Sequence, residues 1–291
     1  MKTHIKAQIK PLLGCSILVT RPQHQAESFC QMLEHAGATV FRFPTIEVKA
    51  TTPNEQSLDA LMHLNQQDIL LFTSSNAVHF CLPWLKPFIS TCSVSTPSKK
   101  PKLPFKIAAI GKKTAQALEQ QHLHVDIFPE DVFNSERLLA LPEMQTVANK
   151  SILIIKGRGG RSILHDGLQR RGANIKKANV YCRQRPTPDI EVLNALKSQK
   201  IDIITLTSAE SGKNLFAMLK NELPAWSSAS TLLLGSKRIH QAIYSSASYN
   251  SGSYDDKKTK ATHPFWIAKN PSDDAMFTAL LEWKKQHIER L

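Results

Sequence analysis

The side chains of this chain that can do chemistry sit in short polar loops, each delivered by an apolar run. They are Thr20-Arg21-Pro22, Phe72-Thr73-Ser74, Ile110-Gly111-Lys112, Lys156-Gly157-Arg158, Leu206-Thr207-Ser208 and Leu234-Gly235-Ser236. Hydroxyls, glycine N–H groups and cations at strand-to-helix turns are the usual means of holding an anion. In the run Gly157 to Arg161, the backbone N–H groups with Arg158 or Arg161 can bind carboxylates. The same residues also make a tight turn with solvated arginines, and the residues alone leave both readings open. Thr73, Ser74, Thr207, Ser208 and Ser211 suit helix N-caps as well as ligand contacts. Lys112 with Lys113, and Ser236 with Lys237 and Arg238, stand at a third pair of such turns.

Other chemistries lack their residues. The GRGGR run has neither the spacing nor the distal acid of a dinucleotide fingerprint, and it does not end as a P-loop does. No HExxH or CxxC arrangement, no GxSxG elbow and no paired carboxylates stand out among 11 histidines and 5 cysteines. No metal or cofactor is expected, and any reaction must run with little acid–base machinery. The net charge of +13 favours an anionic partner. Between Lys150 and Arg185 stand ten Lys or Arg and one acid, Asp166. Nucleic acid, an anionic membrane and a multiply charged small substrate all remain open on charge, although these cations lack the interleaved aromatics of a nucleic-acid surface. No apolar run is long enough for a membrane span, the N-terminus lacks a secretory h-region, and a cytoplasmic monomer is expected.

Apolar runs alternating with helical patterns predict an α/β protein with parallel sheets. Ile152 to Ile155 reads as a strand, Leu164 and Leu168 as a helix face, Gly172 as the helix stop and Ile175 to Tyr181 as the next strand. The same events occur at Ile17, Leu33, Gly37 and Ala38, all 135 residues earlier than Ile152, Leu168, Gly172 and Ala173. DILLFTSSNAV from Asp68 likewise matches DIITLTSAESG from Asp202, 134 residues on, and IAAIGKKTAQAL from Ile107 matches LLLGSKRIHQAI from Leu232. An internal duplication with two α/β domains follows. Residues 91–104 and 245–263 lack periodicity and read as loop insertions. Tyr181 stands opposite Ile46 in the repeat; from the residues alone it reads as a tyrosine packed at a strand end.

These motifs, taken in order with the closing NPSDDAMFTALLE, resemble the uroporphyrinogen-III synthase family from Ile17 onward. The resemblance implies two flavodoxin-like, doubly wound parallel-sheet domains joined by a two-stranded linker, with an inter-domain cleft. It implies residues 1–41 with 186–291 as one domain, 45–180 as the other, and linkers near 41–45 and 181–186. The implied reaction is cyclisation of hydroxymethylbilane to uroporphyrinogen III, with loss of water and inversion of ring D through a spiro intermediate. It implies Tyr181 as the catalytic residue. It implies Thr73, Ser74, Gly111, Lys112, Gly157, Arg158, Ser208, Ser211, Gly235 and Ser236 as substrate-binding positions. Gly111 to Ala115 fits the family's Gly-x-x-Thr-Ala pattern, but Gly235 to Ile239 departs from it, with Arg238 where a threonine is expected. The rival reading is a non-catalytic two-domain binding protein for an anionic metabolite.

Overall fold

The computed structural model describes residues 10–93, 103–219, 229–244 and 263–288. Both expected insertions fall largely outside these residues. Helix Ser75–Ser93 runs through Thr91, so the first insertion begins later than its composition suggests.

The described residues form ten strands: β1 (Ser16–Val19), β2 (Thr39–Arg42), β3 (Glu47–Ala50), β4 (Ile69–Phe72), β5 (Lys106–Ala109), β6 (Ser151–Gly157), β7 (Asn174–Gln184), β8 (Ile203–Leu206), β9 (Thr231–Leu234) and β10 (Phe265–Ile267). They build two five-stranded sheets, ordered β10-β9-β8-β1-β2 and β3-β7-β6-β4-β5. In the first sheet every neighbouring pair is parallel, and in the second the pairs β5–β4, β4–β6 and β6–β7 are parallel. This is the α/β architecture that the alternation of strand and helix patterns predicts. The chain divides into two compact units, Met1–Glu47 with Gln184–Leu291, and Val48–Arg183.

Each sheet is buried on both faces, which is why its strands read as unbroken apolar runs. In the second unit Leu70, Phe72, Ile107, Leu153 and Ile155 pack on one side, and Ile69, Leu71, Ile152, Ile154, Leu164 and Leu168 on the other. In the first unit Ile17, Val19, Phe29, Leu33 and Leu280 share one face, while Leu18, Ile204, Leu206, Leu232 and Leu234 share the other. Burying each such side chain contributes about 1.5–3 kcal/mol. Helices Gln23–His35 and Ile163–Arg170 end alike, because Gly37 (φ +92°) and Gly172 (φ +78°) adopt the left-handed conformation that stops a helix cheaply.

The duplication is visible in the pairing. In sheet order, β9-β8-β1-β2 of one unit corresponds strand for strand to β5-β4-β6-β7 of the other. Each copy of the repeat therefore gives its first two core strands to one unit and its next two to the other. The contacts repeat as well: Ser16 N donates to Asp202 Oδ2 at 2.9 Å, and Ser151 N donates to Asp68 Oδ2 at 2.8 Å. The Ser151 N–H, aided by Lys150 and opposed by partial burial, holds the Asp68 carboxyl below the usual carboxylate range. Its share of the stability is present above that range and lost as the pH falls through the lowered value.

At the end of β1, Arg21 is buried and pairs with Asp273, donates to the Pro271 carbonyl at 3.0 Å, and lies over the Phe29 ring at 4.6 Å. It thereby fastens the start of helix Asp273–Ile288, where Ser272 Oγ accepts from Ala275 N, to the sheet. Arg21→Met is expected to cost about 2–4 kcal/mol, less than a fully buried pair because Asp273 stays 27% exposed. A urea denaturation series checks this, and an unchanged midpoint would show that the pair is dispensable.

Candidate functional site

Parallel pairing brings the C-terminal ends of β4, β5, β6 and β7 to one edge of the second unit's sheet, the edge at which open α/β sheets bind ligands. A hollow of about 290 Å³ opens there, and Thr73, Ser74, Lys156, Gly157, Arg158 and Tyr181 are among the residues lining it. Five of the positions implied by the family resemblance thus meet in one place.

Tyr181 reaches the hollow because β7 is irregular. The register runs Lys156↔Asn179 and then Gly157↔Tyr181, so β7 advances two residues while β6 advances one. Such a bulge re-aims the side chain that follows it. Ala178, Val180 and Tyr181 consequently pack in the same apolar cluster, where strict alternation would send Tyr181 to the opposite face. The phenol ring is only 5% exposed and stacks on Phe80, with centroids 5.8 Å apart. Its Oη lies 3.0 Å from Ser74 Oγ, and its carbonyl accepts from Arg158 N at 2.8 Å.

Gly157 is required for that close approach. A Cβ at this position would lie 2.5 Å from Tyr181 Cζ, inside van der Waals contact. Ser74 has two tasks, since its Oγ also accepts from Ala77 N at 3.1 Å and so caps helix Ser75–Ser93. Thr73 is fixed to the sheet through Ile155 O, which accepts from both its N–H and its hydroxyl. Gly111 and Lys112 stand at the end of β5: Gly111 caps helix Lys112–Glu119 with extended backbone and Lys112 is exposed, while the neighbouring Ile110 lines the hollow.

The remaining candidates lie in the other unit. Ser208 Oγ accepts from Ser211 N at 3.0 Å, the same cap that Ser74 makes in the second unit. Ser211 is 1% exposed, and its hydroxyl is engaged by Thr20 Oγ1 at 2.7 Å and Thr45 Oγ1 at 2.8 Å. That network ties β1, the segment after β2 and helix Ala209–Leu219 together. Gly235 is packed against Pro271, and Ser236 N-terminally abuts helix Lys237–Tyr244 with Arg238 exposed.

Lys156, named above only as part of its turn and not among the substrate-binding positions, follows Ile152 and Ile154 at two-residue spacing on the same side of β6. A cation in phase with buried apolar positions was the available signal. Among the described residues, no cluster of three or more His, Cys, Asp or Glu could hold a metal ion, and no helix is long and apolar enough to cross a membrane.

Residues 27–243 match a family model described as Uroporphyrinogen-III synthase HemD. The chain is 32% identical to Uroporphyrinogen-III synthase of Escherichia coli K12 over 72% of its length and 81% of that protein's. It is 29% identical to the Synechococcus elongatus protein of the same name, covering 74% and 78% of the two chains. Among solved structures, uroporphyrinogen-III synthetase from Helicobacter pylori 26695 superimposes with a TM-score of 0.56 at 18% identity, over 92% of this chain and 99% of that one. This last likeness concerns the fold.

The tyrosine placement is testable without any substrate. Gly157→Ala should destabilise the protein by about 1–3 kcal/mol through overpacking, and by much less in a Tyr181→Ala background. Denaturant titration of the four proteins measures the coupling; additive costs would place the ring elsewhere.

Proposed function

The chain belongs to the uroporphyrinogen-III synthase family, and on that premise we propose that it is a cyclising hydro-lyase in which Tyr181 assists departure of the substrate's hydroxyl. It is an enzyme of porphyrin biosynthesis acting on a small-molecule tetrapyrrole. The reaction closes hydroxymethylbilane, a linear polycarboxylate, to uroporphyrinogen III and water. Cleavage of the C–O bond, driven by pyrrole nitrogen, leaves an azafulvene, and the departing hydroxide takes a proton to become water. The substituted α-carbon of ring D attacks the azafulvene to give a spiro intermediate. Fragmentation and reclosure with ring D turned round, then loss of a proton, complete the balance.

The observation that carries this reading is a tyrosine hydroxyl bonded to a serine inside a hollow lined by Lys156, Arg158, Arg161 and Arg183. Ser74 Oγ already accepts one N–H and still has a proton to give. If it donates that proton to Tyr181 Oη, the phenol O–H is free to hydrogen-bond the leaving oxygen. Such positioned assistance contributes about 10²–10⁴-fold at most, and the substrate supplies the rest of the driving force. Thr73, Gly111, Lys112, Gly157 and Arg158 are assigned to substrate contact in this unit, and Ser208, Gly235 and Ser236 to contact in the other. Ser211, with its hydroxyl used inside the first unit, supports the Ser208 loop from within. We also read the protein as a cytoplasmic monomer, which light scattering checks against the chain mass of 32.5 kDa.

The deciding assay supplies hydroxymethylbilane, oxidises the products and separates the type I and type III isomers. Type III product is expected from the wild-type protein, and the spontaneous type I isomer alone would point to the rival anion-binding role. Tyr181→Phe is expected to lower kcat about 10–100-fold with the melting temperature retained. Undiminished turnover would remove the tyrosine from the mechanism.

A further inference from the structure

Next to Tyr181's hollow, and sharing Thr73, Lys156, Gly160, Arg161 and Leu164 with it, lies a smaller cavity of about 130 Å³ that also takes in His165 and Lys177. It sits where one face of the sheet changes from apolar to polar. Ile154 pairs with Lys177 in the register of β6 and β7, and Lys156 follows two residues later on the side of Ile154. Helix Ile163–Arg170 roofs this face with Leu164 and Leu168.

Of the cationic side chains in this cavity, Lys156 lacks an acidic partner among the described residues. Lys156 is half-buried, and burial, with the nearby Lys177 charge adding to it, holds its ammonium below the ordinary lysine range. The acids nearby are otherwise occupied: Asp166 is held by Ser162 Oγ and by His165 Nδ1 at 2.9 Å, and Glu136 accepts from Arg161 at 3.1 Å. Lys177, which is exposed, acts electrostatically on both Lys156 and Asp166. A cation that is partly stripped of water beside a like charge gains most from an incoming anion. The cavity has the volume of roughly four water molecules at about 30 Å³ each, enough for a carboxylate group and far too little for a macrocycle.

We propose that this cavity is a subsite for one carboxylate side chain of the linear tetrapyrrole, held by Lys156 and Lys177 while the reacting end lies at Tyr181. The proposal rests on the substrate assignment made above. It makes Lys156 a binding and positioning residue, so its effect belongs in KM and not in the chemical step. A carboxylate seated here fixes one pyrrole of a flexible chain relative to the phenol.

The test measures initial rates on hydroxymethylbilane in phosphate-free buffer of low ionic strength. Lys156→Met is expected to raise KM about tenfold, equivalent to about 1.4 kcal/mol, with kcat within about twofold and the type III isomer retained. Lys156→Arg should recover most of the loss, and KM of the wild type should rise with added KCl more steeply than that of Lys156→Met. Lys177→Gln, on the exposed side, should raise KM about threefold without affecting folding. An unchanged KM in Lys156→Met overturns the proposal. If that variant fails to fold, as read by its thermal melt, an unchanged KM in Lys177→Gln overturns it instead. Inorganic phosphate supplies the other arm: loss of phosphate inhibition in Lys156→Met with an unaltered bilane KM would assign the cavity to free anions and likewise overturn it. The catalytic reading fails separately, through undiminished kcat in Tyr181→Phe, and the substrate reading through absence of type III product from the wild type.

Discussion

The site depends on one constraint, the hydrogen bonding of β6 between β4 and β7. Parallel strands end together, so this pairing delivers Thr73, Lys156 with Gly157, and Tyr181 to the same edge of one sheet from parts of the chain about a hundred residues apart. The bulge in β7 opposite Lys156 and Gly157 then turns Tyr181 toward Ser74 and Phe80. Because Gly157 carries no Cβ, the phenol can lie directly against the backbone of the strand that carries the cations. The position of the tyrosine is set by pairing and packing before any ligand arrives.

The same pairing accounts for how the duplicated halves are used. Neither copy of the repeat completes a sheet from its own strands, since β1 pairs with β8 and β6 with β4. The two Ser–Asp contacts, Ser16 with Asp202 and Ser151 with Asp68, join the start of one copy to the middle of the other. A tandem reading of the duplication would put each such pair inside a single half. The reciprocal arrangement keeps the equivalent strand ends as loops in both units, yet the end of β6 and its loop carry Lys156, Arg158 and Arg161 where the loop after β1 carries Arg21 alone.

Much of this was legible in the residues. Runs such as Ile152 to Ile155 announce strands buried on both faces, and Gly37 and Gly172 announce helix ends because few other residues adopt a positive φ without strain. The hydroxyls of the TSS and TSA turns were legible as caps, and Ser74 and Ser208 do cap. Two features carried no local signal. The bulge is a property of two strands, not one, so Tyr181 reads as an ordinary strand-end aromatic until β6 is beside it. Ser211 meets Thr20 and Thr45 across 191 and 166 residues, a separation no motif encodes. Lys156 was overshadowed by the arginines of the glycine loop, of which Arg161 is in fact exposed and paired with Glu136.

That contrast between Arg161 and Lys156 bears on how a polyanion can be held without a conventional acid–base apparatus. An exposed, paired arginine has little to gain from a ligand, because water and a carboxylate already solvate it. A half-buried lysine beside another cation is the reverse case: the fold pays the desolvation cost in advance, and an arriving carboxylate recovers it. Placed on β6 beside the tyrosine's strand, such a group is suited to binding one carboxylate, which is the role proposed for it. A flexible linear substrate whose own pyrrole nitrogen expels the leaving group needs orientation above all. The sheet edge offers a tyrosine hydroxyl, a fixed glycine backbone and the half-buried Lys156, the groups that the proposed reaction uses, and none of the residues lining the hollow is an acid.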